Sequence, residues 1–351
     1  MSALAVRERV ELAPLTTMGV GGPARWFLEA SDETTVLAAH AWARVRGVPL
    51  RILGGGSNVV VADGGVEALV VRLALRGVTS RQTGDTVEVA AAAGEPWDDL
   101  VRVTVERGWA GLECLSGIPG LVGATPIQNV GAYGQEVSDT VVSVRALDTR
   151  DGAVTTLPAA ACGFAYRDSV FKSGEPGRWV VLAVTYRLRP GGAPSLGYAD
   201  VTRYLTERGV SAPTLGDVRQ AVLAIRRSKS MVIDPADPNR RSCGSFFLNP
   251  ILDPAAADAA VARAGDPAMP RWPQADGRVK LSAAWLIERT GFVRGQRVGP
   301  VGLSTRHTLA LVAHDGARAA DLLAFAQKVR DAVEARFGVR LTLEPVVWHG
   351  A

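Results

Sequence analysis

A predicted strand that ends in three consecutive glycines most limits what this chain can fold into. Asp32 can cap a helix that ends at Gly47, and residues 48–53 follow as a strand leading into Gly54-Gly55-Gly56-Ser57-Asn58. Glycines at a strand end let backbone N–H groups surround phosphate oxygens, because no Cβ blocks the ligand. The loop is not the G-x-G-x-x-G nicotinamide fingerprint, because its glycines are consecutive and only a short apolar segment, residues 59–61, follows. A tight turn is the alternative for this loop taken alone.

A second glycine-rich stretch runs from Ser116 to Gly134. It follows a helix that is predicted to start at Pro96 and to stop at Gly108. Glycines and prolines alternate in it with apolar residues, so the backbone is constrained yet accessible, as a wall along a flat cofactor requires. A purely structural loop of this length is uncommon. Together the two stretches are typical of a site for a flavin dinucleotide.

The other predicted elements follow one another without a regular β-α-β repeat. Turns at Asp63-Gly64-Gly65 and Asp151-Gly152 punctuate them, and residues 190–194 form a Pro/Gly-rich excursion loop. This order predicts a mixed α+β fold. The elements are strands at 141–147, 180–188 and 339–347, and helices that end at Arg226, start near Ser282 and end at Gly338.

Length and charge narrow the class of protein. At 351 residues the chain exceeds what one hydrophobic core usually serves, so two or three domains are expected. A formal net charge of +4 without a basic run gives little support for nucleic-acid binding. Residues 1–14 lack the apolar core of a signal peptide, and no apolar run reaches the roughly 18 residues of a membrane helix. We therefore expect a cytoplasmic protein that binds no membrane.

The cysteines and histidines point to no metal. Cys114, Cys162 and Cys243 show no paired spacing, so neither a disulfide framework nor a zinc site is indicated. We expect the three thiols to be reduced. A histidine such as His307 is more often structural than a metal ligand, and the sequence contains no ligand constellation around it.

A third motif, Gly244-Ser245-Phe246-Phe247-Leu248-Asn249-Pro250, follows the basic segment Arg226-Arg227-Ser228-Lys229. It places one hydroxyl between a glycine and two bulky aromatics. Such a segment can present Ser245 to a buried reaction centre as a proton donor. The alternative is that Ser245 caps a helix or strand.

Four motifs in order resemble one known family over nearly the whole chain. They are Leu53-Gly54-Gly55-Gly56-Ser57-Asn58, the loop 117–134, Tyr166-Arg167-Asp168-Ser169-Val170-Phe171-Lys172, and Gly244-Ser245-Phe246-Phe247. Their order is similar to that in the UDP-N-acetylenolpyruvoylglucosamine reductase (MurB) family, which is also called UDP-N-acetylmuramate dehydrogenase. The resemblance implies an α+β fold with a vanillyl-alcohol-oxidase/PCMH-type FAD-binding domain of two subdomains. That domain is expected at 1–229, completed by a C-terminal strand at 340–351, with a smaller α+β substrate-binding domain at 230–339.

The resemblance also implies a reaction. Non-covalent FAD, reduced by NADPH, would give a hydride from its N5 to the vinyl carbon of UDP-N-acetylglucosamine enolpyruvate, forming the peptidoglycan precursor UDP-N-acetylmuramate. This step serves cell wall biogenesis, cell shape and cell division. Ser245 would be the general acid, while Arg167 and Glu344 would flank the substrate carboxylate and developing enol. Arg167 has the planar charged fork that suits a carboxylate.

Each proposed catalytic residue has an ordinary alternative, and the motifs depart from the family at two places. Arg167 could form a surface ion pair with Asp168, and Glu344 could be an exposed strand residue before Pro345. Leu248 stands where the family often has a lysine before the asparagine. The second acidic residue often found two positions after Glu344 is also missing. Glu344 is therefore the only carboxylate for its role.

The resemblance further implies binding residues. Tyr198 resembles the mobile tyrosine with which longer, type I members cover the substrate, although a core tyrosine with a wet hydroxyl is the alternative. The expected substrate contacts are Tyr166, Tyr198, Lys229 and Asn249. The expected FAD contacts are Gly54, Gly55, Gly56, Ser57, Asn58, Ser116, Gly117, Ile118, Pro119, Gly120, Gly123, Ala124, Asn129, Gly131, Ala132, Tyr133 and Arg226.

Two other functions remain open from the residues. A non-covalent FAD-linked oxidase of the same fold is weakened, because residues 51–63 hold no histidine or cysteine to tether a flavin. A non-catalytic nucleotide-binding module would need the glycine loops but not Arg167, Ser245 and Glu344. For the reductase we expect a monomer, an active site in the cleft between the domains, and one pocket shared by NADPH and the sugar nucleotide.

Overall fold

The structure is a computed structural model that describes residues 4–349. The chain divides into two compact units. The first contains residues 4–10, 24–55 and 67–233 of the described chain, and the second contains 11–23, 56–66 and 234–349. The predicted domains reach into residues 1–3 and 350–351, which lie outside the described residues.

Seven α-helices and twenty strands lie in residues 4–349, together with short 3-10 and π turns. The helices are α1 Glu33–Arg46, α2 Trp97–Glu106, α3 Ala199–Thr206, α4 Leu215–Ser228, α5 Pro254–Ala264, α6 Ala283–Arg289 and α7 Ala319–Phe337. The strands are β1 Arg7–Glu11, β2 Pro23–Ala30, β3 Leu50–Leu53, β4 Val59–Val61, β5 Val66–Leu73, β6 Val78–Thr83, β7 Thr86–Ala92, β8 Trp109–Ala110, β9 Gly131–Ala132, β10 Gln135–Glu136, β11 Val141–Asp148, β12 Val154–Pro158, β13 Trp179–Pro190, β14 Ile251–Leu252, β15 Arg271–Pro273, β16 Val279–Leu281, β17 Arg297–Val298, β18 Val301–Leu303, β19 Leu311–Ala313 and β20 Val346–Trp348.

The first unit is built on two sheets. One has the strand order β1-β2-β5-β3, and its β3 runs parallel to β5, with Leu50 opposite Leu69. The other has the order β12-β11-β13-β7-β6, in which neighbours are antiparallel, and β8 also pairs with β13. The alternating burial of β7 shows one face on the core and one face outside it. Both glycine stretches start where elements of this unit end.

The second unit is built around the long helix α7. Its buried side chains recur along one face, and α5 and α6 both pack against it. The sheets β14-β16-β15 and β17-β18-β19 complete the unit, together with the parallel pair of β4 and β20. Phe246 and Phe247 are both buried in its hydrophobic core.

The predicted helix ends are confirmed where capping residues mark them. The Asp32 carboxylate accepts the N–H of Thr35 at the start of α1, and Gly47 ends that helix in a left-handed conformation. Ser282 caps α6 in the same manner, and Gly338 ends α7. These positions were predictable because capping depends on local sequence.

The predicted strand at 339–347 is wrong for most of its length, because only Val346–Trp348 forms β20. Pro345 has no N–H for a ladder. Residues 342–344 instead bond to the serine motif, with Leu248 N–H donating to Thr342 and Glu344 N–H donating to Phe246. β20 pairs with β4, and both belong to the second unit. Which unit serves the cofactor and which the substrate stays a prediction.

No helix within residues 4–349 has the length and apolar character needed to cross a lipid bilayer.

Candidate active site

The first glycine loop is held by close backbone contacts that exclude side chains. Gly54 and Gly55 follow β3 in the first unit, and a Cβ on Gly55 would lie 3.0 Å from the Cα of Gly120 in the second loop. Gly56 begins the next segment of the second unit with φ +65°, and a Cβ there would overlap the carbonyl oxygen of Leu15. Its own carbonyl accepts the N–H of Thr17 at 3.0 Å. Glycine is therefore required at positions 55 and 56, where a Cβ would meet backbone, whereas a Cβ on Gly54 would lie 3.9 Å from Cδ1 of Leu121.

The second loop begins at a charged anchor. Gly117 N–H donates to Oδ1 of Asp98 at 2.6 Å, and Arg219 binds both oxygens of that carboxylate at 2.6 and 2.8 Å. Buried Arg226 donates from Nε to the Gly117 carbonyl at 3.2 Å and from Nη2 to the Met231 carbonyl at 2.6 Å. Burial raises the pKa of Asp98, but the bonds from Arg219 and Gly117 outweigh it and leave that pKa below its usual value. The start of the loop is therefore fixed in position.

Two buried aromatic residues hold the same loop from the core. The indole N–H of Trp97 donates to the Leu115 carbonyl at 3.1 Å, just before the loop. The Tyr186 hydroxyl lies 2.8 Å from Oγ1 of Thr125, inside it. Both residues belong to the first unit's core, so the loop is tied to rigid packing on two sides.

These loops suit the pyrophosphate of a dinucleotide. Within residues 4–349, the amide N–H groups of Gly54, Gly55, Ile118 and Gly120 donate to no protein acceptor. Clustered backbone donors without side chains are the arrangement that binds phosphate oxygens. The donor set and the glycine approach therefore fit a flavin dinucleotide.

Past Ile127, the second loop meets Arg167 in the first unit. The Arg167 guanidinium donates to the carbonyls of Asn129, at 3.3 Å, and of Gly131, and Nη1 lies 3.9 Å from Oε1 of Glu136. Asn129 also donates to Glu136 at 2.7 Å. Asn129, Tyr133 and Arg167 all have positive φ, of 42°, 50° and 54°. Non-glycine residues rarely adopt this conformation, and such strain clusters at functional sites.

The predicted substrate tyrosines, Tyr166 and Tyr198, lie on this unit with Tyr133, a predicted FAD contact. The Tyr133 and Tyr198 rings meet edge to face with centroids 5.2 Å apart. Burial raises the pKa of Tyr133 to about 12, although Arg226 opposes the shift, and burial also raises the pKa of Tyr198. Tyr166 packs under the guanidinium of Arg167 at 5.3 Å.

Lys229, a predicted substrate contact of the first unit, lies at the end of α4. Its Nζ lies 3.3 Å from Oδ2 of Asp200, which also pairs with Arg203 at 2.7 Å. Lys229 is therefore oriented by a carboxylate on α3. An anionic ligand would compete for this ammonium.

The second unit joins the serine motif to Glu344 and to the end of the first glycine loop. Gly244, with φ +73°, lets the chain turn into Ser245, after which Phe246 N–H donates to the Leu309 carbonyl at 2.8 Å. The Phe246 carbonyl accepts the N–H of Glu344 at 3.0 Å. Ser245 directly precedes Phe246, so this hydrogen bond brings the backbone of Ser245 near that of Glu344. Asn58 donates from Nδ2 to the Glu344 carbonyl at 3.3 Å. Within residues 4–349 the Ser245 hydroxyl bonds to no other group.

Cys243 and Asn249 border this motif. Burial and then the charge of Glu344 raise the pKa of the Cys243 thiol, so the thiol stays protonated. The side-chain oxygen of Asn249 accepts the N–H of Ala283 at 3.0 Å and supports the start of α6. Asn249 thus has a structural role besides the predicted substrate contact.

The remaining predicted residues of the second loop contribute mainly backbone structure. The Ser116 hydroxyl donates to the Glu113 carbonyl at 2.6 Å. A Cβ on Gly123 would lie 2.5 Å from that of Ala93. Ala124 N–H donates to Leu121, and Ala132 pairs with Gln135. Ser57 belongs to the first loop and Pro119 to the second.

The sequence reasoning missed three carboxylates in the first unit. Asp98 and Glu136 contact the second loop, and buried Glu113 lies just before it. All three are acidic residues on elements that border a glycine loop, and this is the one sequence feature that could have identified them. Their hydrogen bonds to backbone N–H groups cannot be predicted from residue spacing. Among the described residues, no group of three or more His, Cys, Asp or Glu could hold a metal ion.

Comparison with known proteins agrees with the motif order. A family model described as UDP-N-acetylenolpyruvoylglucosamine reductase, C-terminal domain, matches residues 235–348, and one described as FAD binding domain matches residues 24–158. A UDP-N-acetylenolpyruvoylglucosamine reductase of Saccharopolyspora erythraea is 50% identical over 96% of this chain and 94% of its own length. One of Pseudomonas aeruginosa is 45% identical over 98% of this chain and 99% of its own length.

A solved structure extends the match to the fold. The crystal structure of UDP-N-acetylenolpyruvylglucosamine reductase (MurB) from Thermus caldophilus has a TM-score of 0.69 and 28% identity, and it covers 99% of this chain and 100% of its own. The predicted α+β fold class with an FAD-binding domain is confirmed. Identity of this extent over nearly the full length of both chains establishes that this protein belongs to the UDP-N-acetylenolpyruvoylglucosamine reductase family.

Proposed function

We propose that the protein reduces UDP-N-acetylglucosamine enolpyruvate to UDP-N-acetylmuramate with NADPH and non-covalent FAD, in the cytoplasm and as a monomer. Family membership supports the reaction, and the FAD-domain match supports the cofactor. The observation that carries the catalytic assignment is the Ser245 hydroxyl, which has no partner among residues 4–349. The next residue, Phe246, accepts the N–H of Glu344, so Ser245 and Glu344 lie on two hydrogen-bonded segments. A hydroxyl with no structural partner is available to a substrate.

Arg167 would bind the substrate carboxylate. Its guanidinium is fixed by the Asn129 and Gly131 carbonyls and by Glu136, so little side-chain entropy is lost when a ligand arrives. The two carbonyl acceptors are neutral, so they do not cancel the positive charge of the guanidinium. Arg167 would therefore stabilise the negative charge that develops beside that carboxylate.

Ser245 would donate the proton that completes the reduction. Bound FAD would supply a hydride from NADPH to the vinyl carbon, and the free amides of Gly54, Gly55, Ile118 and Gly120 would hold its pyrophosphate. The substrate's neighbouring carbon then needs a proton, and Ser245 is the general acid that we assign to it. Glu344 would orient the proton donor or the enol.

Lys229 and Tyr198 would hold the sugar nucleotide, with Tyr166 beside Arg167. A diphosphate could displace Asp200 from Lys229, because both side chains stay partly exposed, at 31% and 29%, and ion pairs that solvent screens contribute only about 0–1 kcal/mol. Because the sequence has no second dinucleotide fingerprint, NADPH and the sugar nucleotide would use one pocket in turn. Ping-pong kinetics are expected.

An anaerobic absorbance experiment tests this function. NADPH should bleach the yellow of the purified protein, and subsequent addition of UDP-N-acetylglucosamine enolpyruvate should restore it promptly. Return of the colour only on exposure to air would contradict the reductase and favour an oxidase. A colourless protein that takes up no added FAD would contradict the assignment of both glycine loops.

A further inference from the structure

Glu113 is a buried carboxylate that the proposed chemistry does not use. It is 1% exposed and accepts three hydrogen bonds, each 2.8 Å long, from Gly111 N–H, Gln135 Nε2 and Ser195 N–H. No cation pairs with it in the part of the chain that the structure describes. Burial of a charged group is costly without such donors. The three bonds therefore commit Glu113 to linking three chain segments.

Two of those segments carry Tyr133 and Tyr198, whose rings touch. Gln135 lies two positions after Tyr133, and Ser195 lies three positions before Tyr198. The rings of Tyr133 and Tyr198 meet edge to face. One carboxylate thus ties down both tyrosine-bearing segments close to the point where their rings touch.

Cys114 forms a second hydrogen bond to each of Gln135 and Ser195. Its N–H donates to Oε1 of Gln135 at 2.8 Å, and its thiol donates to the carbonyl of Ser195 at 3.6 Å. Both polar ends of the Gln135 amide and both backbone groups of Ser195 are therefore satisfied by two consecutive residues. A connected network of this kind fixes geometry better than isolated bonds do.

The bond between Ser195 and Glu113 holds the chain just after the excursion loop. Ser195 lies between Pro194, which has no N–H to donate, and Leu196, which is exposed. Tyr198 is itself 41% exposed, with one side of its ring against Tyr133. The bond from Ser195 to Glu113 therefore fixes the chain immediately before the half-exposed ring.

We infer that Glu113 is a positioning residue that sets Tyr198 against Tyr133, so that the half-exposed Tyr198 ring is held ready for the sugar nucleotide. This inference rests on the proposed function only in taking Tyr198 as a substrate contact. The anchoring itself is a property of the free protein. The two parts can be measured separately.

A double variant isolates the Ser195 bond. In Glu113→Gln/Gln135→Glu, the new amide oxygen accepts from Gly111 and the new amide nitrogen donates to the new carboxylate, which still accepts from Cys114. The buried charge and the link to the second loop are kept, but Ser195 N–H faces an N–H₂ group and loses its acceptor. The single variant E113Q would not isolate this bond, because its amide oxygen can still accept from Gln135 and Ser195 while only the Gly111 bond is lost. Ser195→Ala is the matched control, because the contact uses backbone N–H.

Hydrogen exchange tests the anchor. In the double variant, exchange over residues 191–198 should quicken by about tenfold to a hundredfold, the range expected for losing a bond to a charged group. Residues 111–115 should exchange as in the wild type, and S195A should match the wild type throughout. Unchanged exchange over 191–198 in the double variant would overturn the anchoring.

Steady-state kinetics test the link to the substrate. The double variant should raise KM for UDP-N-acetylglucosamine enolpyruvate by about tenfold with kcat within about twofold, because a binding contact is weakened while the reacting groups are untouched. Faster exchange with an unchanged KM would overturn the positioning role. If the wild type does not turn over this substrate, the proposed function fails, while the exchange result still decides the anchoring.

Discussion

Replacing Asp98 by asparagine should weaken the anchor of the second glycine loop. Oδ1 of Asp98 accepts from Gly117 N–H and from Arg219, and Oδ2 accepts the second nitrogen of Arg219 at 2.8 Å. An asparagine can keep its oxygen toward Gly117. Its N–H₂ group must then face a guanidinium N–H, so one bond and the ionic attraction are lost.

The size of the effect follows from burial. A hydrogen bond to a charged group contributes about 1.5–3 kcal/mol, and the Arg219 side chain is only 13% exposed. The Asp98 side chain is 40% exposed, so solvent screening reduces the loss toward the lower end. We expect a loss of about 2 kcal/mol. For a unit of this size, that corresponds to a Tm lower by about 4–8 °C.

Thermal denaturation of the FAD-loaded protein measures this loss, and flavin retained after desalting reports on the loop. Asp99→Asn is the matched control: its side chain is 65% exposed and its ion pair with Arg102 is long, at 3.9 Å. D99N should melt like the wild type and keep its flavin. If D98N also melts within about 1 °C of the wild type, the anchor contributes nothing and the reasoning is refuted.

The same carboxylate predicts a pH dependence. The pKa of Asp98 in the folded protein lies below 3.8, so its contribution is present above the unfolded-state pKa and is lost as pH falls through the folded value. The Tm difference between wild type and D98N should therefore stay constant at neutral pH and shrink below pH 3.8. A difference that grows on acidification would contradict the assignment.

Three further substitutions test the site. Ser245→Ala should leave flavin reduction by NADPH intact but slow reoxidation by the sugar nucleotide about 10²–10⁴-fold, as stopped-flow absorbance can measure; equal slowing of both steps would argue against the proton-donor role. Arg167→Lys should raise KM for the sugar nucleotide about tenfold, because an ammonium lacks the planar fork, and an unchanged KM would exclude that contact. Gly56→Ala should destabilise the fold by about 3 kcal/mol or more, because its Cβ meets Leu15 at a positive φ, whereas Gly64→Ala, with open space around it, should not; equal unfolding midpoints in urea would contradict this.

The sequence by itself determined the elements whose ends depend on local chemistry. Asp32 and Gly47 bound α1, and Ser282 starts α6, because caps act on backbone groups within a few residues. The ordered motifs also determined the family, since glycines that meet backbone, such as Gly55 and Gly56, cannot be replaced freely.

Only the tertiary structure decided which distant segments hold the site in place. The strand predicted at 339–347 failed because residues 342–344 bond to the serine motif, about a hundred positions earlier in the sequence, while Pro345 delays β20. Glu113 likewise joins Gln135 and Ser195 by bonds in which Ser195 supplies only its backbone. Backbone partners carry no signature in residue type. Sequence patterns therefore mark where a loop must be glycine, and packing decides which buried carboxylate supports it.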